Sequence, residues 1–275
     1  MTSSRVEPVL VLRPDRIEPG ERRCAVEAPV AVEVDGLGYA VMMMTPADLD
    51  AFAVGFMLTE RLADTAADVL DCEAFEGEAG WILRVTLAER CRGRMADRVR
   101  HRTGDTSCGL CGIAGLEQLR RPVPHRPPAP RADAAGLFAA LASLRGEQPL
   151  NAATGAVHAA AGCDAAGRVL TAYEDVGRHN ALDKLIGRLA GGPVPDFILV
   201  TSRLSFEMVD KALVAGVAML VGVSAPTTLA VEHAREHGLT LVALARGDAM
   251  LVMNDPHDSY PLPSGERDRR PCAPG

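Results

Sequence analysis

The stretch FILVTSRLSFEMVDKALVAGVAMLVGVSAPTTLAVEHAREHGLTLVALA, residues 197–245, decides the fold. Short aliphatic runs at 197–201, 218–223 and 240–245 have strand length, and they alternate with segments of helical period at 205–216 and 226–237. Working outward, the pattern predicts a helix over 177–190, two short strands at 156–161 and 168–173 joined by a turn containing Asp164 and Gly167, and a last strand near 250–253. Asp133 can cap a further helix reaching about Arg145. Alternation of this kind predicts an α/β fold: a three-layer α/β/α domain on a largely parallel, mixed sheet.

Ahead of this region lies PVPHRPPAP, residues 122–130, whose five prolines in nine positions continue neither a helix nor a central strand. It divides the chain into a smaller N-terminal α+β domain at 1–121, a linker at 122–130, an α/β domain at 131–254 and a mobile tail at 255–275. In the N-terminal part, residues 24–44 read as two strands around Asp35-Gly36, a strong hairpin signal. Pro46 opens a helical pattern to about Leu62, with Leu49, Phe52, Ala53, Phe56 and Met57 on one apolar stripe, and 81–87 reads as another strand. Six arginines crowd residues 90–102, a solvated face on the bland reading.

The chain has 275 residues, 48% hydrophobic and 24% charged, enough for one large or two medium cores. Its net charge of −7 argues against a broad nucleic-acid face. The longest apolar run, 212–223, is too short to span a bilayer, so no membrane role is expected. Seven cysteines without disulfide-framework spacing, and an N-terminus lacking a signal-peptide core, fit a reducing cytoplasm. Only two lysines, Lys184 and Lys211, occur among 29 basic residues.

Polar residues gather where strands give way to helices: EDVGRHN at 174–180, TSRLSFE at 201–207 and VSAPTT at 223–228. The carboxyl edge of a parallel sheet offers helix N-termini to anions, so three such junctions predict a phosphate or pyrophosphate site. Gly177, Arg178, His179, Asn180, Ser202, Arg203 and Ser224 are its candidate residues, with Lys184 and Lys211 as further cations about two turns into their helices. The competing reading is ordinary capping by Asp175 and Ser205. His158, on an apolar segment, reads as a satisfied core residue, and His101, His125, His233, His237 and His257 say less.

The other chemistry-bearing stretch is TGDTSCGLCG, residues 103–112, in which glycines flank Cys108 and Cys111. Such a pair supports metal binding, dithiol redox chemistry or carriage of sulfur as a persulfide. A zinc deaminase also needs a His-x-Glu or Cys-x-Glu element and a proline before the first cysteine. Here Ser107 precedes Cys108, Arg102 and Thr103 follow His101, and Cys24, Cys72 and Cys91 are followed two positions on by Val26, Ala74 and Gly93. A structural zinc completed by distant cysteines stays open, although no metal ligands are assigned. A thioredoxin-type pair begins a helix after a buried strand, whereas this one follows a basic stretch. A sulfur relay needs reach, which the glycines supply, and residues 102–112 are expected to be mobile.

EAPVAVEVDG, MTPADLDAFAVGFMLTE, TSCGLCG, TGAVHAAA, EDVGRHNALDKLIG, TSRLSFEMVDKALVAGV and SAPTTLAVEHA together resemble the formate dehydrogenase accessory sulfurtransferase family (FdhD type), from about Glu27 to Met253. The resemblance implies a cytoplasmic homodimer, similar in fold to the cytidine deaminases. It implies a sulfurtransferase that takes sulfur from a cysteine desulfurase and passes it to the bis-guanine-dinucleotide molybdenum cofactor required by formate dehydrogenase. Cys108 would carry the persulfide with Cys111 its partner, and the cofactor segment falls on Leu244, Ala245, Arg246, Gly247, Asp248 and Ala249. The family often has a further cation near the end of that segment, where this chain has Asp248 and Ala249. The alternative is a cofactor-binding chaperone that moves no sulfur.

Overall fold

The computed structural model describes residues 2–101, 123 and 126–261, without the side chains of 96–101. The alternating region folds into one six-stranded mixed sheet. Its strands are β7 (His158–Cys163), β8 (Val169–Asp175), β9 (Phe197–Val200), β10 (Met219–Gly222), β11 (Thr240–Ala243) and β12 (Leu251–Asn254), in the order β12-β11-β10-β9-β7-β8. The central β9, β10 and β11 are parallel, and every one of their residues is buried, as continuous aliphatic runs require. Strand β7 is antiparallel to both β8 and β9, and β12 to β11. Hence β8, β9, β10 and β11 all point their carboxyl ends to the same edge.

Helices α5 (Arg178–Leu189), α6 (Phe206–Val214) and α7 (Thr228–His237) cover one face of the sheet, burying Leu182, Leu185, Met208, Leu213 and Ala234 against Ile198, Leu220 and Leu241. On the other face α3 (Ala134–Leu144), capped by Asp133, packs Leu137, Ala140 and Leu144 against Phe197, Leu199 and Val221. The mixed α/β arrangement in three layers is therefore present. The first residues of the segment expected to be a mobile tail fold back instead: Asp255 accepts the N–H groups of Ser259 and Tyr260, and the Tyr260 hydroxyl donates to the carbonyl of Ala132 at 2.8 Å.

The N-terminal region forms a four-stranded sheet, order β4-β3-β6-β5, from β3 (Ala28–Val34), β4 (Leu37–Met44), β5 (Val69–Gly77) and β6 (Gly80–Leu87). Helix α1 (Leu49–Thr59) lays Phe52, Phe56 and Met57 on the buried face, where Val30, Val32, Val34, Leu83 and Val85 alternate inward, and α2 (Glu89–His101) adds Cys91 and Met95. Outside the sequence expectations lie β5, the short α4 (Pro149–Thr154), and a two-stranded ribbon of β1 (Ser4–Leu12) with β2 (Ile17–Ala25). The opposite face of α1 crosses α5, and this junction fixes the N-terminal region against the α/β region.

Candidate functional site

Where β8, β9, β10 and β11 end, the chain lays four loops beside one another. Leu204 N–H donates to Ala225 O and Thr227 N–H to Leu204 O, while Val223 N–H donates to Val200 O, Leu244 N–H to Ser224 O and Ala245 N–H to Gly222 O. The hydrogen-bond ladder thus continues past the strands and holds 201–205, 223–227 and 244–246 in a row. Residues 176–179 join the row from β8, and His158 from the first position of β7, which pairs with Asp175. The three polar stretches expected at the edge, and the start of the 244–249 segment that the resemblance adds, are brought together there.

Two helices begin at this edge without a side-chain cap. Gly177 is the N-cap of α5 and Ser205 that of α6, and neither position supplies a capping side-chain bond. Thr227 does cap α7, accepting from Ala230 N–H. Uncapped first-turn N–H groups carry partial positive charge and are open to an anion. Buried beside them, Arg178 Nε and Ser205 Oγ have no hydrogen-bond partner. Arg203 is exposed and unpaired among the described residues. Burial, then the positive charges of Lys211 and Arg178, lowers the His179 imidazole to about 4, so His179 is neutral at pH 7. Burial first and Arg178 second also lower His158. His158 therefore belongs to the edge rather than to the core; its place at the start of a strand was the available signal.

The two lysines are a correction. Lys184 is fully buried, its Nζ 2.6 Å from Asp175 Oδ2 and 3.0 Å from the Thr45 carbonyl. Lys211 is buried as well, donating to both oxygens of Asp183 at 2.7 and 2.8 Å and to Thr59 Oγ1 at 2.9 Å. Their helix faces are covered by α1 and the segment before it, and both ammonium groups are committed to buried carboxylates rather than left open to an anion. Asp175 does not cap α5 in the ordinary way: its Oδ1 accepts from Gly177 N–H and Asn180 Nδ2, and Oδ2 also accepts Thr45 N–H at 3.1 Å. Asn180 is further committed to Met43 O at 2.9 Å. Thr45 and Thr59 are thus working residues that pattern reading passed over, because their partners Asp175, Lys184, Asp183 and Lys211 lie more than a hundred positions away, and Asp175 holds a buried lysine where a helix cap was the competing expectation.

The remaining candidates divide. Ser202 is buried with Oγ donating to the Arg203 carbonyl, and Ser224 is half-buried with its carbonyl in the loop ladder. Leu244 takes a left-handed φ of 50°, which turns the chain so that Ala245 is buried and Arg246, Gly247, Asp248 and Ala249 are exposed. Arg246 N–H closes the turn on Ala249 O at 2.9 Å, and its guanidinium folds back onto the Val223 carbonyl. Cys108 and Cys111, with the rest of 102–112, lie outside the described residues. Among the described cysteines, burial pushes Cys72 up to about 11 and Cys163 up to about 12, leaving both thiols protonated and poorly nucleophilic.

The arrangement is a polar row with two open helix N-termini, two arginines and neutral imidazoles, suited to holding an extended anion. The model of the FdhD/NarQ family matches residues 25–259. A sulfur carrier protein FdhD from Bordetella parapertussis is 45% identical over 240 residues, covering 84% of this chain and 85% of the relative. The corresponding protein of Variovorax paradoxus is 43% identical over 243 residues, covering 87% of each. A crystal structure of a formate dehydrogenase accessory protein from Desulfotalea psychrophila shares the fold, with a TM-score of 0.70 and 23% identity over 93% of this chain and 99% of that one. By its sequence this chain belongs to the FdhD/NarQ family.

Proposed function

We propose that this chain is a sulfurtransferase serving formate dehydrogenase maturation. Cys108 takes sulfur from a cysteine desulfurase as a persulfide, and the bis-guanine-dinucleotide molybdenum cofactor is the substrate that receives it. The observation that carries this reading is the carboxyl edge, where the uncapped α5 and α6 meet the unpartnered Arg178 Nε and Ser205 Oγ. Pyrophosphate oxygens suit these donors: Arg178 and Arg203 supply charge and the first-turn N–H groups supply direction. The exposed turn at Gly247 to Ala249 lies at the end of the same row and offers backbone groups to a guanine.

The sulfur chemistry balances with two thiols. The Cys108 thiolate attacks the outer sulfur of the desulfurase persulfide, forming Cys108–S–SH and releasing the desulfurase thiolate. Attack by the Cys111 thiolate on the inner sulfur then releases hydrosulfide at the edge and leaves a Cys108–Cys111 disulfide, which a cellular thiol must reduce before the next round. On the same reading the protein acts in the cytoplasm as a homodimer, divides at 122–130, and resembles the cytidine deaminases in its α/β half.

Intact mass after incubation with desulfurase and free cysteine tests the proposal. Wild type gains sulfur, Cys108→Ser gains none, and Cys111→Ser gains sulfur without releasing hydrosulfide. An active dehydrogenase formed with Cys108→Ser/Cys111→Ser would instead establish the chaperone reading.

A further inference from the structure

Helix α7 starts beyond the carboxyl end of β10 and runs back across the sheet to Gly238, just before β11 begins. Its last turn therefore lies toward the far end of the sheet, while His233, one turn earlier, packs against Phe206 at the start of α6. His233, Glu236 and His237, spaced i, i+3 and i+4, share one helix face, and each offers one ligand atom within 4.8 Å of the other two.

Second contacts orient both imidazoles. Asp210 Oδ1 lies 3.3 Å from His233 Nε2, and the His233 carbonyl lies 3.1 Å from His237 Nδ1. A carboxylate and a carbonyl only accept, so these nitrogens are the donors, and in the neutral tautomer that a metal requires the other nitrogen of each ring offers the lone pair. Asp210 is itself fixed by both terminal nitrogens of Arg61 at 2.8 and 2.9 Å, and His233 is buried with its ring centroid 4.3 Å from that of Phe206. An oriented imidazole backed by a carboxylate is how metal-binding histidines are usually supported. Glu236 makes no ion pair among the described residues, and a carboxylate in the last turn opposes the helix dipole. A cation at this place removes that conflict.

We propose that His233, Glu236 and His237 form a site for one divalent ion of the zinc class, independent of the sulfur-transfer reading. Two imidazoles and a carboxylate are a zinc ligand set, binding at about 2.0–2.2 Å and leaving a fourth position for water. Glu236 is exposed, and its side chain is free to turn toward the two imidazoles.

The thiol pair at Cys108 and Cys111 also binds soft metals, so the test uses full-length Cys108→Ser/Cys111→Ser protein. Titration with zinc, followed by calorimetry, is expected to saturate at one ion per chain. Cobalt is expected to give visible ligand-field bands without a thiolate charge-transfer band. Adding His237→Ala to this background weakens zinc binding roughly tenfold or more, and Glu236→Gln weakens it less. Absence of saturable binding to the cysteine-free pair variant, or unchanged affinity after His237→Ala with the fold intact by circular dichroism, overturns the proposal.

Discussion

Gly55 on α1 and Gly187 on α5 lie backbone to backbone. A Cβ on Gly55 would stand 1.8 Å from the Asp183 carbonyl oxygen, and one on Gly187 would stand 1.9 Å from that of Ala51. Both obstacles are main chain and cannot swing aside. Gly187→Ala is therefore expected to cost about 3 kcal/mol, at the upper end of overpacking. Urea unfolding would show this as a lower midpoint with an unchanged slope; a loss near zero would mean that the helices slide freely.

The Asp175–Lys184 pair, with neither side chain exposed, should behave asymmetrically. Lys184→Met alone leaves the carboxylate without its cation and is expected to cost about 3–5 kcal/mol, whereas Asp175→Asn/Lys184→Met should lose less than the two single changes added. A double-mutant cycle of unfolding free energies measures the difference. Strict additivity would contradict the contact.

His179 makes stability depend on pH. Its folded value of about 4 lies below the usual 6.5, so the unfolded chain binds this proton more readily. Stability is full above about pH 6.5 and falls as pH drops toward 4, by on the order of 3 kcal/mol. Thermal melts of wild type and His179→Gln should lie nearest each other close to pH 7 and separate toward the acid end, the variant having the flatter profile.

Binding at the carboxyl edge should follow the open arginines. Arg178→Ala is expected to weaken binding of a guanosine diphosphate probe roughly tenfold, the scale of one charged hydrogen bond. Arg246→Ala should matter less, because its guanidinium already lies on the Val223 carbonyl. Isothermal titration decides it, and an unchanged affinity in Arg178→Ala would move the anion site elsewhere.

The α/β half was legible because its central strands β9, β10 and β11 are short aliphatic runs, buried throughout, and its loops are the polar intervals between them. The lysines misled for a reason built into that reading: period and spacing place Lys184 and Lys211 on helix faces, but they do not reveal that α1 returns to cover those faces. The same long-range pairing hid Thr45 and Thr59. The ribbon β1–β2 was missed because its strands hold Pro8, Pro19 and several charges, and Val6, Leu10, Leu12 and Ile17 stay exposed in the fold, so no inward alternation marked them. His233 and His237 were overlooked because each histidine was weighed singly, while their meaning lies in the shared turn with Glu236.

The glycine crossing of α1 and α5 also bears on how a ligand is received. Groups from α1 and the segment before it, tied to Asp175, Asp183, Lys184 and Lys211, pack behind the loops of the edge among the described residues. The receptor is cast before its guest arrives. Ordering costs are met during folding rather than at docking, so association should proceed by rigid capture, with a heat-capacity change no larger than the contact area alone requires.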